Sequence, residues 1–102
     1  MYTFAESALF GKQVYNYLSD REYTDLQWYL SNTPDSGDVI KGSGGIRKLR
    51  FSAKGKGKRS GVRVIYYLQN SIGEIWLLTI YAKNEDDTIP TDILKKIREQ
   101  FE

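Results

Sequence analysis

Residues 61–83, with the sequence GVRVIYYLQNSIGEIWLLTIYAK, carry the strongest structural signal in the chain. Two runs in this segment, 61–68 and 74–83, are rich in the β-branched and aromatic residues that favour strands. The residues from Asn70 to Gly73 predict a short turn between these runs. We therefore expect an antiparallel hairpin whose second strand lies inside the sheet, because both of its faces are apolar.

The chain on the N-terminal side of this hairpin predicts two further strands. Residues 46–51, IRKLRF, predict a first meander strand, and they follow a glycine-rich segment, 35–45, that we expect to be a loop. Residues 2–5 are short and β-prone, so they predict an opening strand.

Three segments have the pattern of helices. Residues 7–18 repeat apolar side chains at helical spacing. Ser19 to Glu22 match a capping box, so a second helix begins there and ends before Pro34. The last helix places four apolar residues on one face, namely Ile93, Leu94, Ile97 and Phe101. The expected fold is α+β: an antiparallel β-meander sheet with an N-terminal helical hairpin packed on one face and a C-terminal helix.

Composition limits the function classes. A chain of 102 residues fits one domain, 1–102. It has no cysteine and no histidine, which removes thiolate nucleophiles, the usual zinc ligands and the commonest acid/base group. We expect no cofactor and no metal. No apolar run approaches the roughly 20 residues that span a bilayer, and no signal peptide is evident, so we expect a cytoplasmic protein without membrane contact.

The charges are strongly segregated along the chain. Residues 41–73 contain nine basic residues and no acidic one, whereas the segments on either side are net acidic. Nine like charges repel one another on folding, which is understandable if the partner is a polyanion. The alternative is an ordinary solvated basic surface. We favour a nucleic-acid surface because the acid-free stretch is long and includes strands.

Strand alternation groups several polar residues. Lys48 and Arg50 share one face of the first meander strand, and Arg63 lies on one face of the second. In the last strand, Tyr81 and Lys83 extend the face that carries Ile75 and Leu77, and Trp76, Leu78, Ile80 and Ala82 form the other. The pattern can thus place all five polar residues on one open face, depending on register. The alternative is that they only keep an uncovered face soluble.

Between the first two meander strands the sequence alternates lysine with glycine. Glycine lets a backbone approach phosphate closely, and the basic residues here attract a nucleic acid without reading its bases: Lys54, Lys56, Lys58 and Arg59. The segment is not a nucleotide-binding motif, because neither glycine signature is complete.

RNA cleavage is possible with these residue types alone. The substrate's own 2′-OH can attack the neighbouring phosphate and form a cyclic phosphate. A lysine crowded by cations has a lowered pKa and can act as base, guanidinium groups stabilise the extra charge on phosphorus, and a tyrosine can protonate the leaving oxygen.

Three stretches, 39–50, 55–67 and 78–85, resemble the HigB branch of the RelE/ParE toxin superfamily. The resemblance implies a ribosome-dependent endoribonuclease that cuts mRNA in the A site. It also implies a helix-turn-helix antitoxin, which neutralises the toxin and, with it, represses their operator DNA.

The resemblance assigns roles to individual positions. Lys48 and Arg50 match basic strand positions that act as base and phosphate ligand, and Arg63 matches the arginine that stabilises the transition state. Lys83 matches a basic position after the last strand, whereas Asn84 stands where an arginine is common. The family's late tyrosine acid has no counterpart in the final helix, so Tyr81 is the substitute.

The predicted catalytic set is therefore Lys48, Arg50, Arg63, Tyr81 and Lys83. The predicted RNA- or ribosome-binding set is Lys41, Arg47, Lys54, Lys56, Lys58, Arg59 and Asn84. Two alternatives stay open: a ParE-like inhibitor that binds DNA gyrase, and a non-catalytic RNA-binding module. The basic catalytic set argues against the first.

Overall fold

The computed structural model describes residues 2–52, 61–83 and 89–102. Along the chain, the elements are β1 (Thr3–Glu6), α1 (Ala8–Tyr17), α2 (Asp20–Asn32), β2 (Asp38–Val39), β3 (Arg47–Phe51), β4 (Val62–Gln69), β5 (Glu74–Ala82) and α3 (Thr91–Glu99). This order is the predicted one, with the short strand β2 added inside the segment expected to be a loop.

Local side-chain hydrogen bonds explain where the helices begin. The hydroxyl of Ser7 accepts from the amide of Phe10 at 2.9 Å and donates to the carbonyl of Leu78 at 2.7 Å, so the start of α1 is bound to β5. Ser19 and Glu22 form the predicted capping box, in which each side chain accepts from the other residue's amide, at 3.1 Å and 2.8 Å. The predicted turn before β5 ends at Gly73, whose φ of 65° suits glycine.

The sheet is mixed, which corrects the expectation of an entirely antiparallel one. Its strand order is β1-β5-β4-β3-β2, and β3, β4 and β5 form the predicted antiparallel meander. β1, however, pairs with β5 in the parallel direction. The two strands are separated by more than sixty residues of chain, so no tight turn fixes their relative direction.

A bulge in β5 changes which residues share a face. Ile65 pairs with Thr79 and Tyr66 pairs with Leu77, so Leu78 has no partner on β4. As a result, Tyr81 packs in the same core as Trp76 and Leu78. The predicted grouping of Tyr81 with Ile75 and Leu77 is therefore wrong, because strict alternation fails at the extra residue.

Two hydrophobic cores lie on the two faces of the sheet. The first lies between the sheet and helices α1 and α2, and its fully buried members include Phe10, Val14, Leu26, Leu30 and Tyr66. The second lies under α3, and its members are Ile46, Ile65, Trp76, Leu78, Tyr81, Leu94 and Ile97. α3 therefore covers part of the face that we expected to be open.

The C-terminal end of α3 is anchored to the sheet and to the turn before β3. Phe101 stacks on Trp76 with ring centroids 5.0 Å apart. The Arg98 guanidinium lies 5.0 Å from the centre of the Tyr67 ring and donates to the carbonyl of Gly44 at 3.1 Å. Within the described residues, no helix is both long enough and apolar enough to cross a membrane.

Candidate phosphate-binding site on the sheet

A row of polar side chains crosses three strands at one end of the sheet. Arg50 on β3 lies directly opposite Arg63 on β4, and Arg63 lies directly opposite Tyr81 on β5. Directly paired residues point to the same face, so these three side chains are neighbours. The row is on the α3 side of the sheet, because Tyr81 belongs to the core under that helix.

A shallow pocket of about 220 Å³ opens at this row. Three of its lining residues are cationic, Arg50, Arg63 and Lys83, and the others are Phe51, Ser52 and Gly61. Among the described residues that line the pocket, none is acidic. We call this site the cationic pocket. Its three converging cations can bind a phosphate, and guanidinium groups can stabilise charge that develops on phosphorus.

The remaining two predicted catalytic residues lie beside this pocket rather than in its wall. Lys48 pairs with Ile65, which places it two residues from Arg50 on the same face of β3, and it is half-buried. Tyr81 is only 7% exposed because it packs in the core under α3. Strand pairing, together with the bulge at Leu78, therefore brings all five predicted residues to the α3 side of the sheet, but only three of them line the pocket.

Two predicted RNA-binding residues lie elsewhere. Arg47 pairs with Tyr66 on the opposite face, and its guanidinium donates to the carbonyls of Gly37 at 2.7 Å and Asp35 at 3.1 Å. The guanidinium group of Arg47 therefore binds the segment that leads into β2. Lys41 is exposed in the turn before β3, at the far end of that strand from Arg50.

The other predicted RNA-binding residues, Lys54, Lys56, Lys58, Arg59 and Asn84, lie outside the described residues. Residues next to them in the chain line the cationic pocket. Ser52 and Gly61, which flank the basic segment 53–60, both line the cationic pocket, as does Lys83, which precedes Asn84. These five residues of the predicted binding set are thus close in sequence to residues that line the pocket.

Sequence analysis missed a second concave surface, on the outer side of α2. It has a volume of about 700 Å³, and we call it the α2 groove; its lining residues are Ser19, Arg21, Glu22, Asp25, Trp28, Tyr29, Asn32, Thr33, Phe51 and Ser52. Trp28 is 72% exposed there. The sequence does contain a signal for this groove. Trp28 and Tyr29 lie off the apolar stripe of α2, and large aromatic side chains on the solvent side of a helix often mark a binding surface.

In the described parts of the chain, no group of three or more acidic side chains could bind a metal ion, and the sequence contains neither histidine nor cysteine. At and beside the cationic pocket, the described residues offer ammonium, guanidinium and phenol groups.

Comparison with known proteins identifies the architecture. No protein-family model matches the sequence. Among solved structures, the chain is similar to the E. coli toxin RelE, determined in the free state as a variant with two arginine-to-alanine substitutions. The match has a TM-score of 0.58 and covers 95% of this chain and 96% of that one, at 10% sequence identity. The chain therefore has the fold of the RelE toxin.

Proposed function

We propose that this protein is the toxin of a toxin-antitoxin pair, of the HigB kind, and that it cleaves mRNA in the ribosomal A site. One observation carries the proposal: Arg50 and Arg63 oppose each other across two strands and share a pocket with Lys83. Like charges directly opposite each other destabilise a sheet. Their convergence is understandable if the pocket binds a phosphate.

The proposed reaction uses the 2′-OH of the substrate as nucleophile. The amine of Lys48 takes the proton from the 2′-OH, and the 2′ oxygen then bonds to the adjacent phosphorus. Arg50 and Arg63 stabilise the extra negative charge, and Lys83 adds to the positive field. The bond from phosphorus to the 5′ oxygen breaks as Tyr81 protonates that oxygen. The products are a 2′,3′-cyclic phosphate and a 5′-hydroxyl end, and no metal takes part.

The proposal includes the cellular setting that the HigB resemblance implies. The protein would act in the cytoplasm on ribosome-bound messages. A helix-turn-helix antitoxin would neutralise it, and the complex of the two would repress their operator. The fold shared with the RelE toxin supports this setting at the level of architecture.

Controlled induction in bacteria tests the proposal. Messenger RNA ends are mapped by primer extension for the wild type and for Arg63→Ala, with Lys12→Ala as a matched control that removes an exposed cation on α1, on the opposite face of the sheet from the pocket. We expect new cuts in translated messages with the wild type and the control, and none with Arg63→Ala. Cuts that persist in Arg63→Ala would refute the proposed role of the pocket.

The same induction separates the alternatives. Growth arrest with intact mRNA and damaged DNA would indicate a gyrase inhibitor. A harmless protein that binds RNA in vitro would indicate a binding module without catalysis. The lack of acidic side chains among the described residues that line the cationic pocket favours a nucleic-acid substrate over a protein target.

A further inference from the structure

The α2 groove presents aromatic and acidic side chains from one face of a helix. Arg21, Asp25, Trp28 and Asn32 follow one another at spacings of three or four residues along α2, and Tyr29 lies four residues after Asp25, so these side chains share one side of the helix. The opposite face of the helix is buried in the first core through Tyr23, Leu26 and Leu30. The exposed aromatic side chains of α2 are therefore not needed to pack this helix against the sheet.

The α2 groove and the cationic pocket adjoin. Phe51 and Ser52, at the end of β3, line both of them. The pocket lies on the α3 face of the sheet and α2 packs on the opposite face, so a ligand with a phosphate between Arg50 and Arg63 reaches Trp28 by passing around the end of β3 at Phe51.

The two surfaces differ in charge, so each favours a different part of a nucleotide. The cationic pocket attracts phosphate, whereas the described lining of the α2 groove, with Glu22 and Asp25 against the single basic residue Arg21, is net negative and disfavours it. Carboxylates instead accept hydrogen bonds from the amino groups of bases, and Trp28 and Tyr29 offer rings on which a base can stack. The arrangement thus favours a phosphate at the pocket and a base in the groove.

We propose that the α2 groove is a base-binding subsite for an unpaired nucleotide next to the phosphate held in the cationic pocket. Trp28 and Tyr29 form the stacking platform, and Asp25 selects bases that carry an exocyclic amino group. This inference rests on the proposed function, because it assigns the pocket to an RNA phosphate.

Intrinsic fluorescence provides a direct measurement. The chain contains two tryptophans, and Trp28 is 72% exposed whereas Trp76 is 4% exposed, so quenching by a surface ligand reports on Trp28. The probes are 2′-O-methyl RNA hexamers of A, C or U, which cannot be cleaved by attack of a 2′-OH. We expect quenching on titration at low salt, with tighter binding of the A and C hexamers than of the U hexamer.

Variants separate stacking from charge. Because Trp28 is exposed, replacing it leaves both cores intact. Trp28→Ala should weaken hexamer binding about tenfold, measured by anisotropy of a labelled hexamer, and Trp28→Phe should restore most of the loss. Asp25→Asn should reduce the preference for A and C over U. Tyr15→Ala is the matched control, since Tyr15 is 60% exposed on α1 and does not line the groove.

The failure of this inference differs from the failure of the proposed function. If induction gives Arg63-dependent cuts but Trp28→Ala binds hexamers as the wild type does, the groove is not a base-binding subsite. The same conclusion follows if Trp28→Ala retains RNA affinity and loses only binding of the purified antitoxin. If no message is cut but hexamer binding depends on Trp28, the subsite stands and the nuclease proposal falls.

Discussion

Arg50 on β3 and Arg63 on β4 lie directly opposite each other and point to the same face of the sheet. Such a pair of like charges opposes folding, by up to about 1 kcal/mol, because the two guanidinium groups are held close together in the native state. A pair of residues that lowers the free energy of unfolding in this way is expected at a binding site, where function rather than stability determines the residues.

We expect Arg50→Thr to raise the free energy of unfolding at low salt, since it removes this repulsion and introduces a residue that favours strands. The difference from the wild type should shrink in about 1 M NaCl, where charges are screened within about 3 Å. Urea denaturation at both salt concentrations measures it, with Lys41→Thr as a control outside the pair. A variant that is less stable than the wild type at both concentrations would contradict the prediction.

The proton donor can be identified by comparing two side chains at the same end of β5. Tyr81 is the proposed acid, so Tyr81→Phe should slow cleavage of ribosome-bound mRNA about 10²- to 10³-fold in single-turnover measurements. Lys83→Ala should slow cleavage less, because Lys83 contributes positive charge near the phosphate rather than the proton for the leaving oxygen. The reverse order would transfer the role of acid to Lys83, which lines the cationic pocket and is exposed.

The hydroxyl of Tyr66 holds the segment before β2 in place. It donates to the carbonyl of Pro34 at 2.7 Å and accepts from the amide of Gly37 at 2.9 Å, and the side chain is fully buried. Tyr66→Phe leaves both backbone groups without this partner, so it should lower the free energy of unfolding by about 1–3 kcal/mol. Urea denaturation measures the loss. Tyr29→Phe, which changes a 44% exposed side chain, should have little effect, and equal losses would show that the hydroxyl does not hold this segment.

Alkaline stability should depend on Tyr23. Burial, together with the hydrogen bond that Tyr23 donates to Glu6, raises the pKa of Tyr23 above its ordinary value of 10.0. Below about pH 10, Tyr23 is neutral in both the folded and the unfolded chain, so its contribution to the free energy of unfolding is fully present. As the pH rises further, the unfolded chain ionises first, and stability falls until the folded protein ionises too.

Unfolding measured between about pH 8 and pH 11 should therefore show a decline in wild-type stability above about pH 10. Tyr23→Phe should be less stable at neutral pH, because it lacks the hydrogen bond, and should decline less steeply. Tyr29→Phe serves as the control and should keep the wild-type slope. A Tyr23→Phe variant with an unchanged slope would assign the alkaline decline to other groups.

The agreement between the predicted and observed elements depends on local signals. The capping box at Ser19, the proline at position 34 and the turn ending at Gly73 each act within a few residues, so they could be identified from the chain alone. β2 was missed because its two residues owe their conformation to pairing with Arg47 and Lys48 rather than to their own preferences.

The candidate site was only partly predictable for the same reason. Alternation correctly grouped Lys48 with Arg50, because β3 is regular. It misplaced Tyr81 relative to Ile75 and Leu77, because the extra residue Leu78 reverses the alternation in β5. The α2 groove was missed because it forms between α2 and the end of β3, which are far apart in sequence.

The amino-acid sequence alone specifies the helices and every strand except β2, the concentration of basic residues in the middle of the chain, and the absence of histidine and cysteine, because these depend on residue type and local order. The three-dimensional arrangement sets the parallel pairing of β1 with β5, the bulge at Leu78 and the meeting of Arg50, Arg63 and Lys83 in one pocket. These features arise from contacts between distant segments, whose register and direction are determined by packing against both cores rather than by any local preference.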